Sequence, residues 1–192
     1  EPYARLVADA FDAAGVPWFG ASVRTAESSL LGRSLLALLA LGDNDLSRRD
    51  VTAWLSGAPI RGTDNQLAPV AAWERISRKA GIMSGPGQWR ERLARLADDL
   101  DTEAGALERD DERAWRVSLI RREAGRARDL AVFIERLRSD LDPGPRGQRW
   151  SGLASWCRGL VRSYVGGENL RQRWPDDERR AADRIEAAID RL

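Results

Sequence analysis

The sequence predicts an all-α chain, an irregular multi-helix bundle with a minor short β-hairpin near the N-terminus. Three observations carry this. Apolar residues recur at helical spacing along almost the whole length, Gly and Pro punctuate the segments between them, and no internal repeat at a fixed period suggests a solenoid. A chain of 192 residues, 43% apolar and 32% charged, is large enough to bury a core without disulfide or metal support.

The elements follow in order. Tyr3, Leu6, Val7, Ala10 and Phe11 make one helical stripe, which Gly15 ends. Val16-Pro17-Trp18-Phe19 is proline-bound and reads as an extended segment, with Val23 in a second short strand after Gly20. Thr25 or Ser28 is placed to cap a helix whose Leu30, Leu31, Leu35, Leu36, Leu38, Leu39 and Leu41 are apolar nearly all round, as in a helix buried on most sides. Ser47-Arg48-Arg49-Asp50 resembles a capping box and opens a short helix through Val51, Trp54 and Leu55. Residues 57–68 form a loop, Pro69 starts a helix to about Ala80, and Gly81 closes it.

Three Gly and a Pro between Gly81 and Gly87 mark a joint. It separates an N-terminal helical part, 1–82, from a long-helix part, 83–192, of what reads as one continuous domain. In the second part Trp89, Leu93, Leu96, Leu100, Ala104 and Leu107 keep helical spacing. Val117, Ile120, Ala124, Ala127, Ala131, Ile134, Leu137 and Leu141 do the same over about seven turns. Pro143-Gly144-Pro145 breaks the chain before a helix through Leu153, Cys157, Leu160, Val161 and Tyr164. Gly166-Gly167 ends that one, and Pro175 opens the last, through Ala181, Ile185, Ala188 and Ile189. Both ends of the sequence read as cut from a longer protein.

Composition bounds the chemistry. The chain has no histidine, which removes the commonest general base and metal ligand. One cysteine, Cys157, excludes an internal disulfide framework, and its place on an apolar stripe reads as packing. No apolar run reaches the roughly 18 residues of a membrane span and no signal-peptide pattern opens the chain, so the expected location is cytoplasmic, without membrane partners. There is no phosphate-cradling P-loop. Asp99, Asp101 and Glu103 have calcium-loop spacing but Ala104 where an EF-hand needs Gly, so they read as a solvated helix face. Trp174-Pro175-Asp176-Asp177 has the start of a nuclease-like carboxylate motif without the downstream lysine, and reads as an acidic helix N-terminus. The tryptophans read as packing, Trp174 least firmly. No catalytic, cofactor or metal residue is therefore assigned.

Charge is distributed unevenly. Between Arg113 and Arg173 there are 14 Arg against six acids, a local +8 inside a chain of net charge +1. Two readings stand: arginines that neutralise phosphates, with Arg121, Arg122, Arg128, Arg158 and Arg162 as nucleic-acid candidates, or arginines that merely solvate the outer face of long helices.

Residues 3–62 resemble the start of the inserted helical subdomain, called 2B, of UvrD/Rep-type helicases. The helix Tyr3 through Phe11 is followed by Gly15-Val16-Pro17-Trp18, similar to the family's Gly-Ile-Pro-Tyr turn. Then come a strand-like segment, the Leu-rich helix 30–41, the break Asp43-Asn44-Asp45 and the short helix 48–56. Pro59-Ile60-Arg61-Gly62 is similar to the Pro-x-Arg-Gly that opens the family's duplex-contacting loop, and makes Arg61 and Gly62 further nucleic-acid candidates. Thr63-Asp64 follows where the family carries glycine, and this degenerate form looks most like AddB-like ATP-dependent helicase/exonuclease subunits.

The resemblance implies that ATP and Mg are handled by motor domains elsewhere in a parent chain, and that an AddB-like parent carries an iron–sulfur nuclease module. It also implies a partner helicase/nuclease subunit. The expected function is thus a non-catalytic helical domain of a bacterial helicase/nuclease in DNA repair or recombination, acting as a scaffold and DNA-tracking surface. The alternative is a purely structural protein–protein interaction domain without DNA contact.

Overall fold

A computed structural model of the chain describes residues 3–16, 26–108, 114–142 and 149–191. Among these residues the chain is all-α, and the only β pairing is an isolated antiparallel bridge between Arg61 and Leu67. The hairpin expected around residues 17–23, and Thr25 as a cap, lie outside the described residues.

Helix α1, Tyr3–Ala13, forms as the periodicity predicts, but Tyr3, Leu6, Val7 and Phe11 stay exposed. A single 3-10 turn at Ala26–Ser28 leads into α2, Leu30–Asp43. Its N-cap is Ser29 rather than Ser28. The Ser29 hydroxyl accepts from the Gly32 N–H at 3.1 Å, and Glu178, far along the chain, accepts from the Leu30 N–H at 2.7 Å. Two of the otherwise unsatisfied donors of that helix end thereby find oxygens. The burial expected on most sides of α2 is met only in part. Leu31, Leu35, Leu38 and Leu41 are buried, whereas Leu36 is exposed, because neighbouring helices cover only part of the cylinder.

Helix α3, Arg48–Gly57, is capped as expected, with Ser47 accepting from the Asp50 N–H at 3.2 Å. Helix α4, Val70–Lys79, ends at Gly81, which takes the left-handed φ of 69° that glycine adopts freely. The expected joint is tied down. Gly85 N–H donates to the Asp45 carbonyl, Arg48 N–H to that of Met83, and the Trp89 indole to that of Leu46. Core residues on both sides of the segment, from Leu31 to Ile189, belong to one apolar cluster.

Helices α5, Pro86–Leu107, and α6, Ala114–Leu141, are about 33 and 42 Å long at 1.5 Å per residue and pack against each other along much of their length. Leu93, Ala97, Leu100 and Ala104 repeat at four-three-four spacing, and Val117, Ile120, Ala124 and Ala127 at three-four-three. Such a seam packs two helices side by side. Leu96 and Leu107, expected in it, are only partly buried. Nearer the body, α6 is buried on a second side as well, through Leu130 and Phe133.

Helix α7, Trp150–Tyr164, a short turn α8, Glu168–Arg171, and α9, Asp176–Asp190, complete the bundle, with α9 packing on α2 and α7. At the centre Trp54, Trp73, Phe133 and Tyr164 meet with ring centroids 4.7 to 6.2 Å apart. Each such pair contributes about 0.5–1.5 kcal/mol beyond its buried area. Below them the Tyr164 hydroxyl donates to Asp140 at 2.8 Å, and burial pushes its ionisation well above the ordinary tyrosine range. Trp156 donates to the Asp140 carbonyl at 2.8 Å.

Candidate functional site

The seven nucleic-acid candidates fall on three separate elements. Arg61 and Gly62 occupy the loop between α3 and α4, Arg158 and Arg162 lie on α7, and Arg121, Arg122 and Arg128 lie along α6.

The loop is closed on itself. Arg61 N–H donates to the Tyr164 carbonyl at 2.8 Å, Gly62 N–H to Gln66 at 2.8 Å, and Ala68 N–H to Ile60 at 2.8 Å. Asp64 accepts from the Gln66 N–H at 3.0 Å, and Arg61 Nη1 donates to the Asn65 carbonyl at 2.5 Å. Asn65 sits at φ 62°, a conformation that Asn tolerates better than most residues. The Gly62 amide is therefore buried and donates inside the loop. The exposed Asp64 carboxylate lies beside it. On α7, Arg158 faces Asp190 at 3.3 Å, while Arg162 is exposed and has no acidic partner among the described residues.

The α5–α6 hairpin brings part of the basic stretch against acids that lie outside it in sequence. Beyond the body, Leu100, Ala104, Val117, Ile120 and Ala124 form an apolar cluster of their own, to which Leu96 and Leu107 add partly buried area. We refer to residues 100–107 and 114–124 as the arm. Along its edge Arg128 donates to Asp101, Arg121 pairs with Glu108, and Arg116 reaches Glu103 at 3.5 Å. The hydrogen bond to Asp101 raises the Arg128 guanidinium above its usual range. At the arm's base Glu123 holds Lys79 of α4 at 3.0 Å and Arg75 at 4.0 Å. Residues 98–108 carry Asp98, Asp99, Asp101, Glu103 and Glu108. Residues 114–128 carry five arginines and Glu123, so acids outnumber bases by one across the described hairpin. The facing helix thus supplies acids for three of the 14 arginines behind the local +8: Arg116, Arg121 and Arg128.

Two arginines escape this pairing. Arg122 and Arg126 are exposed and have no acidic partner among the described residues. With Trp115, 69% exposed, and Leu119, 49% exposed, they stand at i, i+4, i+7 and i+11 on the face of α6 opposite the seam. Sequence reasoning named Arg122 as a candidate, placed Arg126 only on the solvated outer face, and missed Trp115 and Leu119. It read the tryptophans as packing, which holds for Trp54, Trp73 and Trp89 but not for Trp115 or for Trp150, at 67% exposed. The spacing opposite the Val117–Ile120–Ala124 stripe was the available signal.

Other groups are arranged for packing. Cys157 packs against the core, and burial pushes its thiol ionisation up. A cleft of about 540 Å³ is lined by Arg171, Arg179 and Arg180 against Glu168, Asp176 and Asp183. The buried Arg171 in it pairs with Glu186 at 2.6 Å, and Asp176 pairs with Arg179 at 2.6 Å. No cluster of three or more metal-ligating side chains occurs among the described residues, and no helix there is long and apolar enough to cross a membrane. Compared with known proteins, the chain matches no protein-family model, and no curated protein or solved structure matches it either.

Proposed function

We propose that this chain is a non-catalytic helical body of a bacterial ATP-dependent DNA helicase or nuclease, and that it works as a scaffold for protein partners. The parent context rests on the order of elements in residues 3–62. In that reading ATP, Mg and any iron–sulfur cluster belong to other domains of the parent. The partners are the rest of that chain and a helicase/nuclease subunit.

The mode of action rests on one observation, the matching of arm arginines to acids across the α5–α6 seam. A surface that tracks DNA draws most of its affinity from unpaired cations that release counterions from the phosphates. An arm whose acids equal or exceed its bases holds a polyanion poorly. DNA tracking stands as a second reading because Arg122, Arg126 and Arg162 have no acidic partner among the described residues.

Fluorescence anisotropy of labelled single-stranded and duplex 20-mers with the full chain, at about 50 mM salt, separates the two. The scaffold reading expects no saturable binding. Binding that saturates, weakens steeply with salt and disappears in Arg122→Glu/Arg162→Glu overturns it in favour of tracking.

A further inference from the structure

We infer that the outer stripe of α6, Trp115, Leu119, Arg122 and Arg126, is a docking face for an acidic amphipathic helix of a partner protein. The inference rests on the scaffold reading and names the surface and the chemistry of what it holds.

The stripe has two halves. Towards the tip, Trp115 and Leu119 expose large apolar surface that the chain's own seam, on the other side of the helix, does not cover. Towards the body, Arg122 and Arg126 present guanidinium groups one turn apart. Every other arginine of residues 114–128 has a carboxylate within ion-pair distance: Arg116 with Glu103, Arg121 with Glu108 and Arg128 with Asp101. Two arginines left unmatched beside an exposed tryptophan, where their three neighbours on the hairpin are paired, suit an occupant that brings its own carboxylates.

Spacing and charge fix the class of that occupant. The four positions span about 16 Å, three helical turns, which is the pattern by which one helix lays an anchor stripe against another or into a groove. Trp and Arg are the residues most enriched among those that dominate interface energies. A nucleic acid meets the same two arginines but also a hairpin whose described charges include one more acid than base, so its phosphates lack a positive field. An acidic amphipathic helix needs only two or three carboxylates facing Arg122 and Arg126 and an apolar patch for Trp115. Asp101, Glu103 and Glu108 are already engaged by the seam-edge arginines and compete little with it.

The test uses the full chain labelled with 5-fluorotryptophan, the Trp115 resonance being identified by its loss in Trp115→Phe. Three probes are titrated: a 21-residue Leu/Glu amphipathic peptide, its Leu/Lys counterpart, and a 20-mer of deoxythymidine. The Leu/Glu peptide is expected to shift the Trp115 resonance and to bind at least about tenfold more tightly than the Leu/Lys peptide. Arg122→Glu/Arg126→Glu, at exposed positions and checked for an unchanged helical circular-dichroism signal, is expected to invert that preference. No Trp115 shift with the Leu/Glu peptide, or an unchanged preference in the double variant, overturns the docking face while leaving the scaffold reading in place. A Trp115 shift with the oligonucleotide that vanishes in the double variant overturns both.

Discussion

The indole N–H of Trp89 donates to the carbonyl of Leu46 at 2.7 Å, and Leu46 itself sits at φ 48°, next to Asp45 at φ 52°. Two consecutive non-glycine residues in the left-handed region cost roughly 1–2 kcal/mol each, so the turn between α2 and α3 persists only because it is tied from outside. The tie comes from the start of α5, through Trp89 and through the Gly85 N–H that donates to Asp45. Trp89→Phe keeps most of the packing but leaves a buried carbonyl without its donor. It should lower the unfolding free energy by about 1–3 kcal/mol, and Trp89→Ala by about 3–5 kcal/mol, in urea titrations. Losses under 0.5 kcal/mol for both would show that the turn does not depend on this bond.

Ser29 is fully buried at the start of α2 and accepts from the Gly32 N–H. Ser29→Ala removes that acceptor and should cost about 1 kcal/mol, within the 0.5–2 kcal/mol range of lost N-caps, with Ser29→Thr recovering most of it. Thermal unfolding of the two variants measures this, and a Ser29→Ala loss well under about 0.5 kcal/mol would contradict the assignment.

Tyr164 gives a pH signature. Burial and the hydrogen bond to Asp140 raise its folded ionisation above the ordinary tyrosine value, so the neutral phenol is the folded form. Its contribution to stability is complete below about pH 10, where an unfolded tyrosine begins to ionise, and is lost as pH rises further. Unfolding free energy should therefore fall above pH 10, with Tyr164 supplying up to about 1.4 kcal/mol per pH unit of the slope. Tyr164→Phe should be about 1 kcal/mol less stable at pH 7, yet decline less steeply in alkali. An unchanged alkaline slope in the variant would remove Tyr164 from the account.

The helices were legible because their signals are local: four-three spacing in α5 and α6, Ser47 before α3, Pro69 before α4, Gly81 after it. What the sequence hid depends on which element faces which. Glu178 reaches the Leu30 amide across 148 positions, so no local pattern could announce it. Leu36 looks as buried as Leu35 until the neighbours of α2 are known. The pairing of the basic stretch was hidden for the same reason. Arginines between 113 and 173 look like an uncompensated basic surface in one dimension, whereas Asp101, Glu103 and Glu108 lie outside that window and beside Arg128, Arg116 and Arg121 in space.

The arm can act as a docking element only if it stands folded before any partner arrives, held by the chain's own Leu100–Ala104–Val117–Ile120–Ala124 seam and its edge ion pairs. Native-state hydrogen exchange on the full chain reads this directly. Amides of Leu100, Ala104, Ile120 and Ala124 should exchange at least about 100-fold more slowly than an unfolded chain, yet faster than those of Leu93 and Leu137 in the body, with Leu100→Ser releasing the arm amides and sparing the others. Arm amides that exchange at the unfolded-chain rate would contradict the account.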